Sequence, residues 1–535
     1  MLAIDDAKGA LTANLATFQK PGIISARSGW KFTPAGITGE RAIVVTVLPG
    51  KKAEVAAALP KTIGNVPVEI REANPIQLMK ATEPAKYVAL SAARHELRQP
   101  EFPDEIFLDP ATGTPRPSPA PPAAFTMTAH AHKPQIDYTG PYGANLDAVT
   151  SKVSLVLHAS PDAGWDQLSK FIAGIRQELV VGMYDFTSAH ILDAMKNAMT
   201  GGKKLTLTLD HPAPNPGRDQ TDEETQDALT DALGDNFSGA WALTNSDRLA
   251  PVWIYPNAYH IKVAVREDDT FWLSSGNWNN SNQPEIDLSD QQAARKIASG
   301  HDRDWHVIAT SHELADKFRA FLRHDFEIAS SEEAKAGPQG MALVAEVFAD
   351  QPEVPALALA VPRQPRKFFT PKTLTGNIKI QPLLTPDNYK ENVKPLIESA
   401  RQKFFMQTQY IHPSGRDGDE EHDALIAAVK ALVDANIDVR LITSEFQTDD
   451  WVEKVVDAGI PAEVLRRQPK VHNKGVVVDS QTVMVSSQNW SADGTLRNRD
   501  AGLIIFNAEA AAYFEGIFLH DWDNLASPTA ADQGG

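Results

Sequence analysis

The chain has 535 residues, 42% of them hydrophobic and 22% charged, the composition of an ordinary globular protein with room for two to four domains. A formal charge of -18 disfavours loose attraction to DNA, RNA or anionic membranes and leaves only a locally basic cleft for such partners. Cysteine is absent, which excludes disulfides, a thiolate metal site and a cysteine nucleophile.

The opening stretch, MLAIDDAKGALTANLATFQK, has two aspartates where a cleavable signal peptide would carry positive charge, and it lacks a continuous apolar core. No stretch reaches the roughly 18 apolar residues of a membrane span. The expectation is therefore a cytoplasmic protein, or one exported without a cleavable signal peptide. Residues 1–98 read as a small α/β module: a polar helix, a strand over Arg41–Val47, a helix over KKAEVAAALP, a strand over Val66–Ile70 and a helix from about 76 to 97. Residues 99–150, with Pro110, Pro115, Pro117, Pro119, Pro121 and Pro122, read as a stiff linker.

From residue 151 the chain runs twice through one pattern. Ser160-Pro161-Asp162 and Thr385-Pro386-Asp387 read as helix starts with a capping hydroxyl and a proline in the first turn. At the same offset of 225 residues, the strand LVVGMYDF (179–186) lines up with KFFMQTQYI (403–411), and each is followed by a helix and another strand. This alternation implies a duplicated α/β unit with a mixed, largely parallel sheet. The expected units are a first repeat at 151–327, a connection at 328–375 in which only 342–348 should be ordered by itself, a second repeat at 376–527 and a loose tail at 528–535.

Within the repeats sits the chemistry. Counting from His260, Lys262 is at +2, Glu267 at +7, Ser275 at +15 and Asn277 at +17; from His472 the same offsets give Lys474, Asp479, Ser487 and Asn489. Arg303-Asp304 and Arg499-Asp500 then open matching apolar runs. The offset drops to 212 at the histidines and 196 at these acids, so the first repeat carries an insertion of 16 residues between Asn277 and Asp304, a polar segment expected to form a rim.

The paired H-x-K-x4-D pattern resembles the phospholipase D superfamily over roughly residues 150–527. The resemblance implies two phospholipase D-like α/β/α sandwich units with their sheets packed about a pseudo-twofold axis. It also implies a metal-independent phosphodiesterase without a cofactor, complete within a monomer. On this pattern one imidazole attacks phosphorus to give a phosphohistidine and the other serves as acid and then base. The resemblance favours His260 as nucleophile and His472 as acid/base, an order the near-symmetry of the motifs does not settle. Lys262, Lys474, Asn277 and Asn489 would hold the phosphoryl oxygens, and Asp304 and Asp500, helped by Ser275 and Ser487, would orient the histidines. Glu285 and Asp287 compete with Asp304 for its place. Glu267 stands where the family pattern has aspartate; it and Asp479 are expected to be structural. His211, His306 and His412 are read as structural and Trp278 and Trp490 as packing. The expected substrate is phospholipid at a membrane surface, with possible transphosphatidylation. The alternatives are a nuclease acting on nucleic acid and a non-catalytic scaffold.

Overall fold

The computed structural model describes residues 4–93, 97–117, 139–210, 219–244, 252–253, 258–331 and 366–531. Both repeats are built on strands. The first supplies β1 (Val149–Ser160), β2 (Glu178–Met183), β3 (Lys204–Leu209), β4 (Phe237–Trp241), β5 (Lys262–Arg266), β6 (Thr270–Ser274) and β7 (Asp304–Thr310). The second supplies β8 (Lys372–Thr385), β9 (Lys403–Thr408), β10 (Asp438–Thr443), β11 (Leu465–Arg467), β12 (Lys474–Val478), β13 (Thr482–Ser486) and β14 (Asp500–Phe506), with β15 (Ser527–Pro528) at the outer edge. They form one 15-stranded sheet in the order β15-β11-β10-β9-β12-β13-β14-β8-β1-β7-β6-β5-β2-β3-β4. Read outward from β8 and β1, the two halves run in the same order, with β15 an addition at the edge of the second. The long strands β1 and β8 pair antiparallel with Lys152 opposite Asn377, which lies 225 residues further on. Equivalent residues face each other there, so the pseudo-twofold axis passes through that pair.

The sheet is mixed, as expected, but not largely parallel. Parallel pairing is confined to β2-β3-β4 and β9-β10-β11, where helices make the crossovers. The strands that carry the motifs are hairpins, and a hairpin forces antiparallel pairing. Asp269, Asp479 and Ser480 take φ of 61°, 51° and 56° in those turns, the left-handed backbone a tight reversal needs.

Most of these strands are buried on both faces, which is why they read as continuous apolar runs. Helices His312–Ala329 and Ala508–Asn524 fill a shared core with Leu157, Ile261, Trp305, Phe405 and Leu503 from both repeats. Outer helices close the far side of each half, as with Ile191 and Met195 on Leu205, or Val393 and Val429 on Phe404. Each such side chain contributes about 1.5–3 kcal/mol of burial.

The helix starts expected at Ser160 and Thr385 are not caps. Both residues are still in the ladder, opposite Asp304 and Asp500, both following prolines are cis, and the helices begin at Gly164 and Tyr389. Ser160 Oγ instead lies 2.8 Å from His306 Nε2.

The N-terminal module forms its own sheet from Ile23–Thr33, Gly36–Val47, Val66–Glu72 and two short strands. One of these, Ile106–Phe107, comes from the segment read as linker, and Leu108 beside it is fully buried. The described part of that segment up to residue 117 therefore belongs with the module; 118–138, with Pro119, Pro121 and Pro122, lies outside the described residues, as do 332–365 (342–348 among them) and His211. The module is docked on helix Asp449–Asp457: Arg27 donates to Glu453 (2.7 Å) and Asp450 (2.6 Å), and Arg71 donates to Glu453 (2.7 Å). Nor is the tail loose up to residue 531: Thr529 is buried, its carbonyl accepts from Ile37 N (2.7 Å), and Ala531 N donates to Ile37 O (2.9 Å). No described helix is long and apolar enough to cross a membrane.

Candidate active site

Residues two apart on an extended chain project to the same side, so H-x-K and S-x-N each deliver two side chains to one face. The lysines open β5 and β12, the serines and asparagines follow β6 and β13, and the acids open β7 and β14. The sheet places these strand ends together, and the two sets interlock. Arg303 N donates to Lys470 O (2.7 Å), His472 N to Arg303 O (3.1 Å) and Arg499 N to Ala258 O (2.8 Å).

The result is a crossed pairing. His260 Nδ1 lies 2.7 Å from Asp500 Oδ1, and His472 Nδ1 lies 3.0 Å from Asp304 Oδ1. Each imidazole is held by the acid of the other repeat. Ser275 Oγ donates to Asp304 Oδ1 (2.7 Å) and Ser487 Oγ to Asp500 Oδ1 (2.6 Å), fixing both carboxylates from within their own repeats. Asp304, not Glu285 or Asp287, is the partner of His472; Asp287 accepts from Ser289 N on an exposed turn.

Lys262 and Lys474 donate to the carbonyls of His260 and His472, and Lys474 Nζ also lies 3.1 Å from His472 Nε2. Tyr184 closes the first half, its ring edge-on to His260 at 4.8 Å. Asn277 and Asn489 are buried, and Oδ1 of each has no hydrogen-bond partner, so both amides carry unused polar capacity. Trp278 and Trp490 are buried in the core, His306 bonds Ser274 Oγ (2.6 Å), and His412 stacks between Tyr410 and Trp451.

The motif acids sit apart from these groups. Asp479 accepts from the amides of Arg401, Gln402 and Lys403, and Glu267 accepts from those of Arg176 (3.0 Å) and Glu178 (3.2 Å). These are equivalent strand starts in the two repeats, so the longer glutamate reaches the same backbone.

Two acids that the motifs do not include, Asp325 and Asp521, tie the halves together. Arg303, fully buried, donates to Asp162 (2.8 Å) and Asp521 (2.9 Å); Arg499, fully buried, donates to Asp325 (2.8 Å) and to Asp387. A strand alternates its faces, so the arginine before each of Asp304 and Asp500 points the other way, into the core. The signal was present in sequence as His324-Asp325-Phe326 and His520-Asp521-Trp522, again 196 residues apart.

Only part of the segment between Asn277 and Asp304, which holds the 16-residue insertion, is rim. Asn279, Asn282 and Gln283 are buried, because the turn after Asn277 packs against Asp304 and Asp185. The helix Gln291–Ser299 is the exposed part.

Electrostatically the two acids differ. Burial opposes ionisation of Asp304, but His472 by charge and hydrogen bond, with Lys474, holds it well below the usual carboxylate range. Burial pushes the Asp500 carboxyl up to about 8 against the pull of Lys262 and Ser487. Burial also drives the Lys262 ammonium well below the usual lysine range; Asp500 opposes this and Lys474 adds to it.

A duplicated α/β fold with crossed His–Asp pairs and convergent lysines defines the class. Residues 393–522 match the family model described as cardiolipin synthase, PLD-like domain. The second half of the chain thus carries a phospholipase D-like domain, and the first half repeats its topology and its motif. Similar solved structures include phosphatidylserine synthase of Haemophilus influenzae Rd KW20, at 14% identity over 71% of this chain and 89% of that one, with a TM-score of 0.47. Nuc, a phospholipase D family member from Salmonella typhimurium, is similar at 21% identity over 28% of this chain and 96% of that one, with a TM-score of 0.23. Polyphosphate kinase from Porphyromonas gingivalis is similar at 12% identity over 69% and 50%, with a TM-score of 0.39. No curated protein matches the chain.

Proposed function

We propose that this chain is a phospholipase D-type phosphodiesterase that hydrolyses the head-group phosphodiester of phospholipids. The observation that carries the chemistry is the crossed pair: two imidazoles, each held at Nδ1 by a buried carboxylate, with a lysine ammonium beside each. Holding Nδ1 leaves Nε2 for the reaction. In the first step His260 Nε2 bonds to phosphorus, the bond from phosphorus to the head-group oxygen breaks, and the His472 imidazolium protonates that oxygen. In the second, His472 takes a proton from water, the water oxygen bonds to phosphorus, and the phosphorus–nitrogen bond breaks to release phosphatidic acid. An alcohol in place of water gives transphosphatidylation. Lys262, Lys474, Asn277 and Asn489 stabilise the charge that grows on the non-bridging oxygens.

One chain supplies both histidines and both acids, so a monomer is sufficient for this site. The choice of phospholipid follows the resemblance to the superfamily and the absence of a net positive charge to hold a polyanion. The deciding experiment is a side-by-side assay in EDTA on phosphatidylcholine vesicles and on single- and double-stranded DNA, with His472→Ala as control. Head-group release that the control lacks supports the proposal; cleavage of DNA alone would replace it with the nuclease reading.

A further inference from the structure

The two His–Asp pairs have matching geometry but unequal surroundings. Just after the asparagines the repeats still correspond at an offset of 212: Gln283 N donates to Asn279 O as Thr495 N donates to Ser491 O, and Asn282 N donates to the Asn279 side chain as Gly494 N does to that of Ser491. The side chains at two of these positions are exchanged. The first repeat has Gly276 and Asn282, and the second has Gln488 and Gly494.

This exchange acts on one oxygen. A Cβ at Gly276 would lie 2.6 Å from Asp304 Oδ2, so the glycine leaves that atom open, and Asn282 Nδ2 donates to it at 2.9 Å. Asn282 is fully buried; its Oδ1 accepts from Asn277 N (3.0 Å), and Nδ2 also reaches Asp302 Oδ2 (3.1 Å). In the second repeat a Cβ at Gly494 would lie 2.2 Å from Asn489 O, which bars any side chain. Gln488 turns to Thr385 Oγ1 (3.2 Å), and Asn498, near enough to pull the Asp500 carboxyl down, closes no hydrogen bond on Oδ2.

We infer that Asn282 is a positioning residue that fixes Asp304 and, through it, His472, so that the two His–Asp pairs of this pseudo-symmetric site are unequal by construction. The donor on Oδ2 favours the ionised carboxylate, and an ionised, fixed Asp304 is what an imidazolium at His472 requires. The contrast between a depressed Asp304 and a raised Asp500 runs the same way. The other charged or titratable groups acting on Asp304 are Lys474, His306 and, more weakly coupled through the site, Lys262. Burial holds His306 down to about 4, so it is neutral where the enzyme would work. The kinetic part of this inference rests on the phosphodiesterase reading; the structural part does not.

The test uses two variants. Asn282→Asp keeps the shape and the acceptor for Asn277 N–H while removing the donor; Asn282→Ala removes both. Gln488→Ala serves as the second-repeat control. Proton NMR of the full-length protein follows the two downfield resonances of hydrogen-bonded imidazole Nδ1 protons, assigned with His260→Gln and His472→Gln. The expected result is that both Asn282 variants shift or broaden the His472 resonance and leave that of His260 in place, and that kcat falls about 10- to 100-fold with KM within about twofold. Two unmoved resonances, or two equally disturbed ones, would overturn the inference. If the wild type hydrolyses none of the substrates, the phosphodiesterase reading fails while the resonances still decide the role of Asn282.

Discussion

His260 and Asp500 stand 240 residues apart in the chain and 2.7 Å apart in the fold, one from each repeat. The same crossing joins His472 to Asp304 at 3.0 Å. Neither repeat therefore completes a His–Asp pair by itself, and duplication within one chain is what supplies both.

The crossing makes a prediction about coupling. Asp500→Asn should lower kcat by about 10²- to 10⁴-fold, as loss of the orienting carboxylate does for other catalytic histidines. A double-mutant cycle should show strong coupling between His260 and Asp500 and between His472 and Asp304. Pairs within one repeat, His260 with Asp304 or His472 with Asp500, should couple less. Equal coupling within repeats would contradict the geometry.

Asp500 also links stability to pH. Its folded-state pKa is raised by burial to about 8, above the unfolded value near 3.8, so its contribution is fully present below that lower value and is lost as pH rises through the higher one. Asp500→Asn should accordingly gain in thermal midpoint over the wild type at pH 9 and show little gain at pH 4. Scanning calorimetry of both proteins across that range checks it; a gain that does not grow with pH would tell against the raised carboxyl.

Lys262 gives a third expectation. Its ammonium is pushed well below the usual lysine range by burial, with Lys474 adding to the effect. An anion such as inorganic phosphate or tungstate bound between the lysines raises that pKa again, so binding takes up a proton and weakens as pH rises through the free-state value. Titration calorimetry in two buffers of different ionisation enthalpy measures the uptake. Lys262→Met should abolish it.

The N-terminal module offers a test away from the chemistry. Glu453 is fully buried against Arg27 and Arg71, so Glu453→Gln strands buried guanidinium charge and should destabilise the docked module by about 3–5 kcal/mol. Limited proteolysis within residues 1–117 reads this directly, and unchanged resistance would show that the docking does not depend on these pairs.

The histidines, lysines, serines and asparagines of the site were legible because their spacing of two is a local property of extended chain. The double copy of that spacing excluded accident. The crossing was not legible: it depends on which of two equivalent acids lies near which histidine, and sequence offsets are the same either way. Nor is the antiparallel pairing legible, since apolar runs buried on both faces look alike in either orientation. The strand Ile106–Phe107 is only two residues long, too short to rise above the prolines around it. Ser160 and Thr385 look like caps because a hydroxyl before proline is a common helix start, whereas here both end strands opposite Asp304 and Asp500.

The most direct measurement is mass spectrometry of the enzyme acid-free and rapidly denatured during turnover of a phospholipid. The expected result is a phosphatidyl adduct on His260 that persists longer in His472→Ala when a substrate with a good leaving group bypasses the acid. An adduct on any other residue, or turnover with none on either histidine, would contradict the two-histidine mechanism.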